Sequence, residues 1–402
     1  MKPERRVVFV GAYGIQNAGD DAPLLVLTEG LRRAHPEVDY RFTVLARHAD
    51  PLLERLAGAR VLPNLEYPSR EDARGKWFRG FHPGDDRADL ERIEEEIRAA
   101  DLVVAGAGNA LLDLSLDLFR GPIPLLATYA FLCDLHRVPL MLYGISAGPL
   151  ATQRGRDLSA WIARRSRAVT CRDAASARLL SELAPETSPI VLPDPVLGLA
   201  PATDAELARL FEAEEIPLEG ERARLALALR DLSFQGIDRG SIVEALRALE
   251  SRYEFLFVPQ CTGRDCDDRE EAEAVAAELP RATCHRIRRR HAPQVLRRVY
   301  ETARATLAIR LHGAAMSAMG GTPVVTLAYL PKVSAFLERV GLSEFGLDPA
   351  RANGRSIAAE LERAADLDRG KLALRCKNLA RGVGGYVQAA SELLRLPQRA
   401  AA

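Results

Sequence analysis

The sequence predicts an α/β protein of two domains, each a parallel sheet with helices on both faces. Three observations predict it. Short apolar runs alternate with helical patterns along the chain. The alternation breaks once, near Pro193-Asp194-Pro195, and then restarts. A length of 402 residues with 48% hydrophobic residues suits two domains of ordinary size, each with its own core.

Val7-Val8-Phe9-Val10 reads as the first strand because β-branched and aromatic residues follow a charged start. Asp21 to Ala34 reads as a helix, and Phe42-Thr43-Val44-Leu45 as a strand. Glu66 to Arg87, with Trp77, Phe78 and Phe81, is long and irregular, as lids and surface insertions are. Asp86 to Ala100 is a charged helix. Leu102 to Ala105, Leu140 to Tyr143 and Ala168 to Cys171 are strands, and Asp173 caps a helix that runs to Leu183. The charged stretch Ala200 to Arg222 contains Pro201, Pro217 and Gly220. It reads as an interdomain connection with a short helix around Asp204 to Glu214, dividing the chain into 1–199 and 200–402. Strands follow at Leu225 to Leu229, Phe255 to Val258, Thr306 to Ile309 and Pro323 to Leu327. A helix from Gly370 to Leu394 closes the pattern.

Composition narrows the function. Formal net charge is zero, so no global field recruits nucleic acid. The basic run Arg286 to His291 has no aromatic platform interleaved. It reads as a solvated face, with contact to an anionic membrane surface or carrier as the alternative. The charged start leads straight into a strand, so no signal peptide is expected. No apolar run approaches the ~18 residues that span a bilayer. A cytoplasmic protein, peripheral at most to the inner face of the membrane, is expected. Six cysteines make no disulfide framework, and the closest pair, Cys261 and Cys266, lacks zinc-site partners. Free thiols and no metal are expected.

The chemistry concentrates at Arg310-Leu311-His312-Gly313, where a strand-like run ends in a fixed cation and an imidazole. A run of small residues follows, then a second strand, and Lys332 lies beyond it. Arg230 ends another strand of the same half. Ligands of open α/β sheets bind at the carboxyl ends of strands. Arg230, Arg310, His312 and Lys332 therefore describe a pocket for a small anion beside a proton donor. In the first half, glycine-bearing turns follow three strands, at Gly11 to Asp21, Gly106 to Asp113 and Gly144 to Pro149. Asn17, Asp20, Asp21, Asn109 and Asp113 on these turns offer what sugar hydroxyls need. Asp20 and Asp21 repel phosphate and can cap the following helix instead. The alternatives are a capped turn without ligand, and glycines kept only for close packing. Walker A, Gly-x-Ser-x-Gly and His-Glu-x-x-His patterns do not occur.

The ordered motifs resemble the polysaccharide pyruvyl transferase family. They are Asn17-Ala18-Gly19-Asp20-Asp21, the turn Gly106 to Asp113, Ala147-Gly148-Pro149, Arg172-Asp173-Ala174-Ala175-Ser176, Asp194-Pro195-Val196, Arg310-Leu311-His312 and Tyr329-Leu330-Pro331-Lys332. Leu330 replaces the family's Asp, Ala107 a glycine and Asn109 a serine. The resemblance implies two Rossmann-like domains in a GT-B-like arrangement, with the C-terminal helix packing back on the N-terminal domain. It implies an acceptor-binding first domain and a second domain that binds phosphoenolpyruvate, a co-substrate rather than a cofactor. The acceptor would be a sugar of a cell-surface glycan or its precursor, with a lipid-linked form left open. Arg230 and Arg310 would then clamp the donor's anionic groups, and Lys332 would add a point charge. His312, with the ordinary imidazole pKa of about 6.5, would protonate the methylene carbon. Two other readings stand beside it: a glycosyltransferase using a nucleotide sugar, and a glycan-binding relative without activity.

Overall fold

A computed structural model describes residues 2–65, 87–113, 121–233, 236–264, 266–328 and 331–396. The chain forms two compact units. The first comprises Met1–Ile15, Pro23–Gly198 and Gly382–Ala402, and the second Gln16–Ala22 and Leu199–Arg381. The reading in two blocks, 1–199 and 200–402, thus meets two exchanged segments. Residues 16–22 group with the second unit and the C-terminal residues with the first.

The first unit is built on β1 (Glu4–Val10), β2 (Asp39–Ala46), β3 (Ala59–Pro63), β4 (Leu102–Leu111), β5 (Leu140–Ala147), β6 (Ala168–Cys171) and β7 (Ile190–Val191). They form one sheet in the order β3-β2-β1-β4-β5-β6-β7, with every pairing parallel. Helices cover both faces of such a sheet, so its strands bury both sides and read as continuous apolar runs. Val8, Val10, Val103, Ala105, Leu140 and Leu142 lie in its core. The two-residue β7 is exposed, and the apolar run Ile190-Val191-Leu192 that carries it is shorter than the runs that read as strands.

Two of the expected glycine turns are strand. β4 and β5 continue through Gly106 and Gly144, and their pairing shifts register between Gly108 and Leu111. Gly106 has φ +136°, and a side chain there would meet the Tyr143 carbonyl oxygen at 2.2 Å. Glycine is needed for this close approach of backbones.

The second unit holds β8 (Ala223–Ala228), β9 (Tyr253–Phe257), the hairpin β10 (Thr262–Gly263) and β11 (Cys266–Asp267), β12 (Cys284–Arg286), β13 (Ala305–Ala308), β14 (Val324–Leu327) and β15 (Gly346–Leu347). Its main sheet runs β12-β9-β8-β13-β14-β15, again all parallel. The chain winds outward from β8 to β9 and β12, then returns to β13 and continues the other way. The order reverses between β8 and β13, the crevice where doubly wound sheets bind ligands.

The charged stretch after Ala200 carries the helix Asp204–Ala213, closed by a capping box of Thr203 and Glu206. The single C-terminal helix expected from Gly370 to Leu394 is divided. Arg369–Ala380 belongs to the second unit, a 3-10 turn spans Arg381–Val383, and Gly384–Leu393 belongs to the first. Gly382, Gly384 and Gly385 weaken the helix at the break. The last helix is fixed within the first unit by the Tyr386 hydroxyl, which donates to the Pro193 carbonyl at 2.8 Å. All six cysteines are free thiols. Among the described residues no helix is long and apolar enough to cross a membrane. The long loop at 66–86 and the signature residues Tyr329 and Leu330 lie outside the described residues.

Candidate functional site

Arg230 and Arg310 occupy matched positions at the reversal of the second sheet. Ala228 of β8 pairs with Ala308 of β13, and each arginine stands two residues beyond its pairing residue. Ala308 also pairs with Thr326 of β14. Lys332 opens the helix Pro331–Val340 that follows β14. Arg230 and Arg310 therefore follow two adjacent parallel strands, and Lys332 lies in the helix after the next one.

Arg310 is also the N-cap of the helix Leu311–Met319, which places His312 in its first turn. The positive end of the helix dipole and its N–H groups favour an anion there. The small residues of this helix let it sit close to the sheet. A side chain at Gly313 would lie 2.6 Å from the Ala228 Cβ.

Arg310 is almost buried and held from behind. Its Nε donates to Asp268 Oδ2 at 2.7 Å, and its Nη2 donates to Asp268 Oδ1 and to Cys266 Sγ, the latter at 2.6 Å. Asp268 opens the helix Asp268–Ala277 and also accepts the backbone N–H groups of Gln260 and Cys261, at 3.0 and 2.9 Å. Burial works against the arginine's charge, but the Asp268 carboxylate outweighs it and holds the guanidinium above its ordinary pKa. Arg310 is thus a fixed cation whose Nε and Nη2 are engaged by Asp268 and Cys266.

The Cys261 and Cys266 thiols are hydrogen-bonded to each other. That bond and the Arg310 guanidinium hold Cys266 below the ordinary thiol range, while Cys261 is pushed well above it by the same bond and by burial.

The segment 16–22 completes this cluster. Asn17 bridges to Cys261, the Ala18 N–H donates to the Gln260 carbonyl at 2.8 Å, and the Thr262 N–H donates to the Gln16 carbonyl at 3.1 Å. Gly19 then lies against His312. A Cβ at Gly19 would stand 1.9 Å from the imidazole Nδ1. The glycine of this motif is therefore needed beside the imidazole.

The five hydroxyl-binding residues read from sequence separate into two places. Asn17, Asp20 and Asp21 are in the second unit, with His312, and Asn109 and Asp113 are in the first. Asn17 turns its side chain to the Gly19 N–H at 3.0 Å and starts the helix Ala18–Ala34. Asp21 is buried and takes Arg290 Nη2 at 2.8 Å. Asp20 is half-buried in the first turn of that helix. In the first unit, Asp113 accepts the Thr152 N–H at 2.7 Å, at the start of the helix Gln153–Arg165. These contacts give Asn17, Asp21 and Asp113 structural work. Asn109 is exposed, and its Oδ1 accepts from Arg172 Nη2 at 3.2 Å. Buried Arg172 also donates to Ser146 Oγ at 2.8 Å and to Asp194 Oδ2 at 3.0 Å. Asp173 caps its helix through the Ser176 N–H, as its place in the sequence predicts.

The basic run is largely paired within its unit. Arg290 meets Asp21, while Arg286 and Arg288 lie 3.5 and 3.9 Å from Glu273. Glu214 takes the N–H groups of Arg288 and Arg289 and the His291 imidazole.

Asp268, Gln260, Cys261, Cys266 and Gly19 join this cluster without belonging to the residues the sequence marks as a site. The Cys261/Cys266 spacing is one signal in the sequence that points to them. Asp267-Asp268 ahead of a helical pattern is the other signal.

Nearly the whole chain shares its fold with solved UDP-GlcNAc 2-epimerases and a glycosyltransferase. A UDP-GlcNAc 2-epimerase from Neisseria meningitidis superposes with TM-score 0.60 at 14% identity, over 97% of this chain and 99% of that one. A glycosyltransferase from Rickettsia africae gives 0.59 at 11% identity, over 97% and 99%. A UDP-GlcNAc 2-epimerase from Methanocaldococcus jannaschii gives 0.58 at 12% identity, over 96% and 99%. No curated protein matches the chain. Two parallel-sheet domains with these neighbours define a fold of the GT-B class. Within that class the sequence is more specific. The model of the polysaccharide pyruvyl transferases matches residues 17–331, and the chain belongs to that family.

Proposed function

We propose that this protein transfers a pyruvyl group from phosphoenolpyruvate to two hydroxyls of a sugar in a cell-surface glycan or its precursor. A cyclic ketal forms and phosphate leaves. The observation that supports the proposal is that Arg230, Arg310, His312 and Lys332 all follow the carboxyl ends of three neighbouring strands, β8, β13 and β14. Phosphoenolpyruvate carries a carboxylate and a phosphate on one small frame, and three fixed or mobile cations suit it.

His312 delivers a proton to the methylene carbon, leaving positive character at the central carbon. The first sugar hydroxyl adds there and the second displaces phosphate. Asp268 keeps Arg310 in place without a rearrangement at the moment of reaction. In the first unit, Asn109 is the best-exposed of the expected acceptor residues, with its amide nitrogen able to donate to a hydroxyl. The donor is an intracellular metabolite, so the proposal carries a cytoplasmic setting with it. A lipid-linked acceptor would bring the protein to the inner face of the membrane. No cofactor is needed by this chemistry.

Thermal unfolding in phosphoenolpyruvate, beside a panel of nucleotide sugars, tests the proposal. A ligand at ~100 times its dissociation constant adds about 2.7 kcal/mol of stability. A shift with phosphoenolpyruvate that Arg310→Ala abolishes supports pyruvyl transfer. The Neisseria neighbour is bound to UDP-GlcNAc, and a shift here with a nucleotide sugar instead would replace the proposal by glycosyl transfer. A shift with glycan fragments alone would leave a binding protein.

A further inference from the structure

The Cys261/Cys266 pair has no part in the reaction above, yet it is built around Arg310. In the hairpin, Gly263 of β10 faces Cys266 of β11. Cys261 is two residues before Gly263, so it shares the face of Cys266 as its diagonal neighbour. The two thiols are hydrogen-bonded. Cys266 is half-buried and its sulfur takes Arg310 Nη2 at 2.6 Å, while Cys261 is fully buried beneath it.

From this arrangement we infer that Cys261 and Cys266 are an oxidisable dithiol, in which Cys266 meets a peroxide and Cys261 resolves the product into an intramolecular disulfide. The steps balance. The Cys266 thiolate sulfur attacks one peroxide oxygen, the O–O bond breaks, and the sulfur is oxidised to a sulfenic acid. The second oxygen leaves as hydroxide, or as an alkoxide if the peroxide is organic, and takes up the proton the Cys266 thiol released on ionising, to become water or an alcohol. The Cys261 sulfur then displaces the sulfenic hydroxyl, which leaves as water with the Cys261 proton, and the S–S bond forms.

Selectivity follows from the surroundings. Reactive cysteines sit beside cations and partly exposed, because the thiolate is the nucleophile. Cys266 meets both conditions, and Cys261 and Arg310 hold its thiol below the ordinary range. Burial pushes Cys133, Cys171 and Cys376 up to about 12 and Cys284 up to about 11, so these four stay protonated.

The disulfide also has a consequence that rests on the proposed donor site. Forming it takes the Cys266 sulfur from Arg310 and draws on Cys261, whose neighbours hold residues 17–19 against His312. Oxidation should therefore weaken the binding of phosphoenolpyruvate.

The test treats the full chain with hydrogen peroxide, blocks remaining thiols and maps tryptic peptides without reduction. Trypsin cuts after Arg264, so the disulfide appears as two joined peptides that dithiothreitol separates. The joined peptides should form at least about tenfold faster than any product at Cys284. In Cys261→Ser, Cys266 should stop at the sulfenic acid and be captured by dimedone. Oxidation first at another cysteine, or Cys266 passing to sulfinic acid in the wild type with no disulfide, overturns the inference. Thermal shifts with phosphoenolpyruvate before and after oxidation read the consequence separately. A disulfide with no ligand shift in either state leaves the dithiol standing and removes the donor reading.

Discussion

Replacing Gly19 by alanine puts a methyl carbon where the His312 imidazole already stands. The new Cβ would lie 1.9 Å from Nδ1, 2.4 Å from Cγ and 2.7 Å from Cβ of His312. Ordinary contact begins near 3.4 Å, so the ring must retreat by about 1.5 Å or the segment must lift away. Either movement takes the proton donor from its place, and a displacement of ~1 Å at a reacting group costs about 100-fold in rate. The backbone preference has the opposite sign, since alanine exceeds glycine by up to about 1 kcal/mol within a helix. Gly19→Ala should therefore keep a melting temperature within a few degrees of wild type. Phosphate release from phosphoenolpyruvate, measured with a pool of glycan acceptors, should fall about 100-fold. A variant that folds as well as wild type and keeps more than half its turnover would refute the reasoning. Either the imidazole is not where the segment presses on it, or it is not the proton donor.

Other outcomes follow from the same contacts. Asp268→Ala strands a buried arginine and two backbone N–H groups, and should lower stability by ~3–5 kcal/mol in urea unfolding. His312→Gln should abolish turnover while donor affinity, read by thermal shift, stays within a few-fold. Burial raises the Glu214 carboxyl, but the Arg288 and Arg289 N–H groups and His291 outweigh it and hold its pKa below the ordinary value. A depressed folded-state value stabilises the fold above the unfolded carboxyl's pKa, and that stability is lost as pH falls through the folded one. Glu214→Gln should flatten the acid limb of a stability profile below about pH 5. Tyr386→Phe removes the bond to the Pro193 carbonyl and should cost ~0.5–1.5 kcal/mol in thermal unfolding with no change in donor binding.

The sheets were legible because their strands are buried on both faces and announce themselves as apolar runs. Edge strands such as β7 and β15 are too short to do so. The arginines at the ends of β8 and β13 could be placed together because both follow apolar strands, and the register does align them. What no local pattern reveals is the partner chosen across the chain. Asp21 is one of the hydroxyl-binding candidates in the sequence, and nothing near it shows that its ion-pair partner is Arg290, 269 residues away. Asp113 likewise shows no local sign that Thr152, 39 residues on, donates its N–H to it. Arg310 looked like an open fork because Asp268, 42 residues earlier, gives no sign of facing it.

The exchange of residues 16–22 and of the C-terminal segment means that the chain passes between its two units four times. A gene cut at codon 198 does not encode two complete bodies. Its second product lacks the strip that donates to the Gln260 carbonyl and flanks His312. Recombination between relatives therefore cannot trade one half for another at a single crossover. An exchanged second half must either carry its own seven-residue strip or accept the host's. The Asn-x-Gly-Asp motif is inherited with the amino-terminal stretch of the gene, but its fit is judged by the far end.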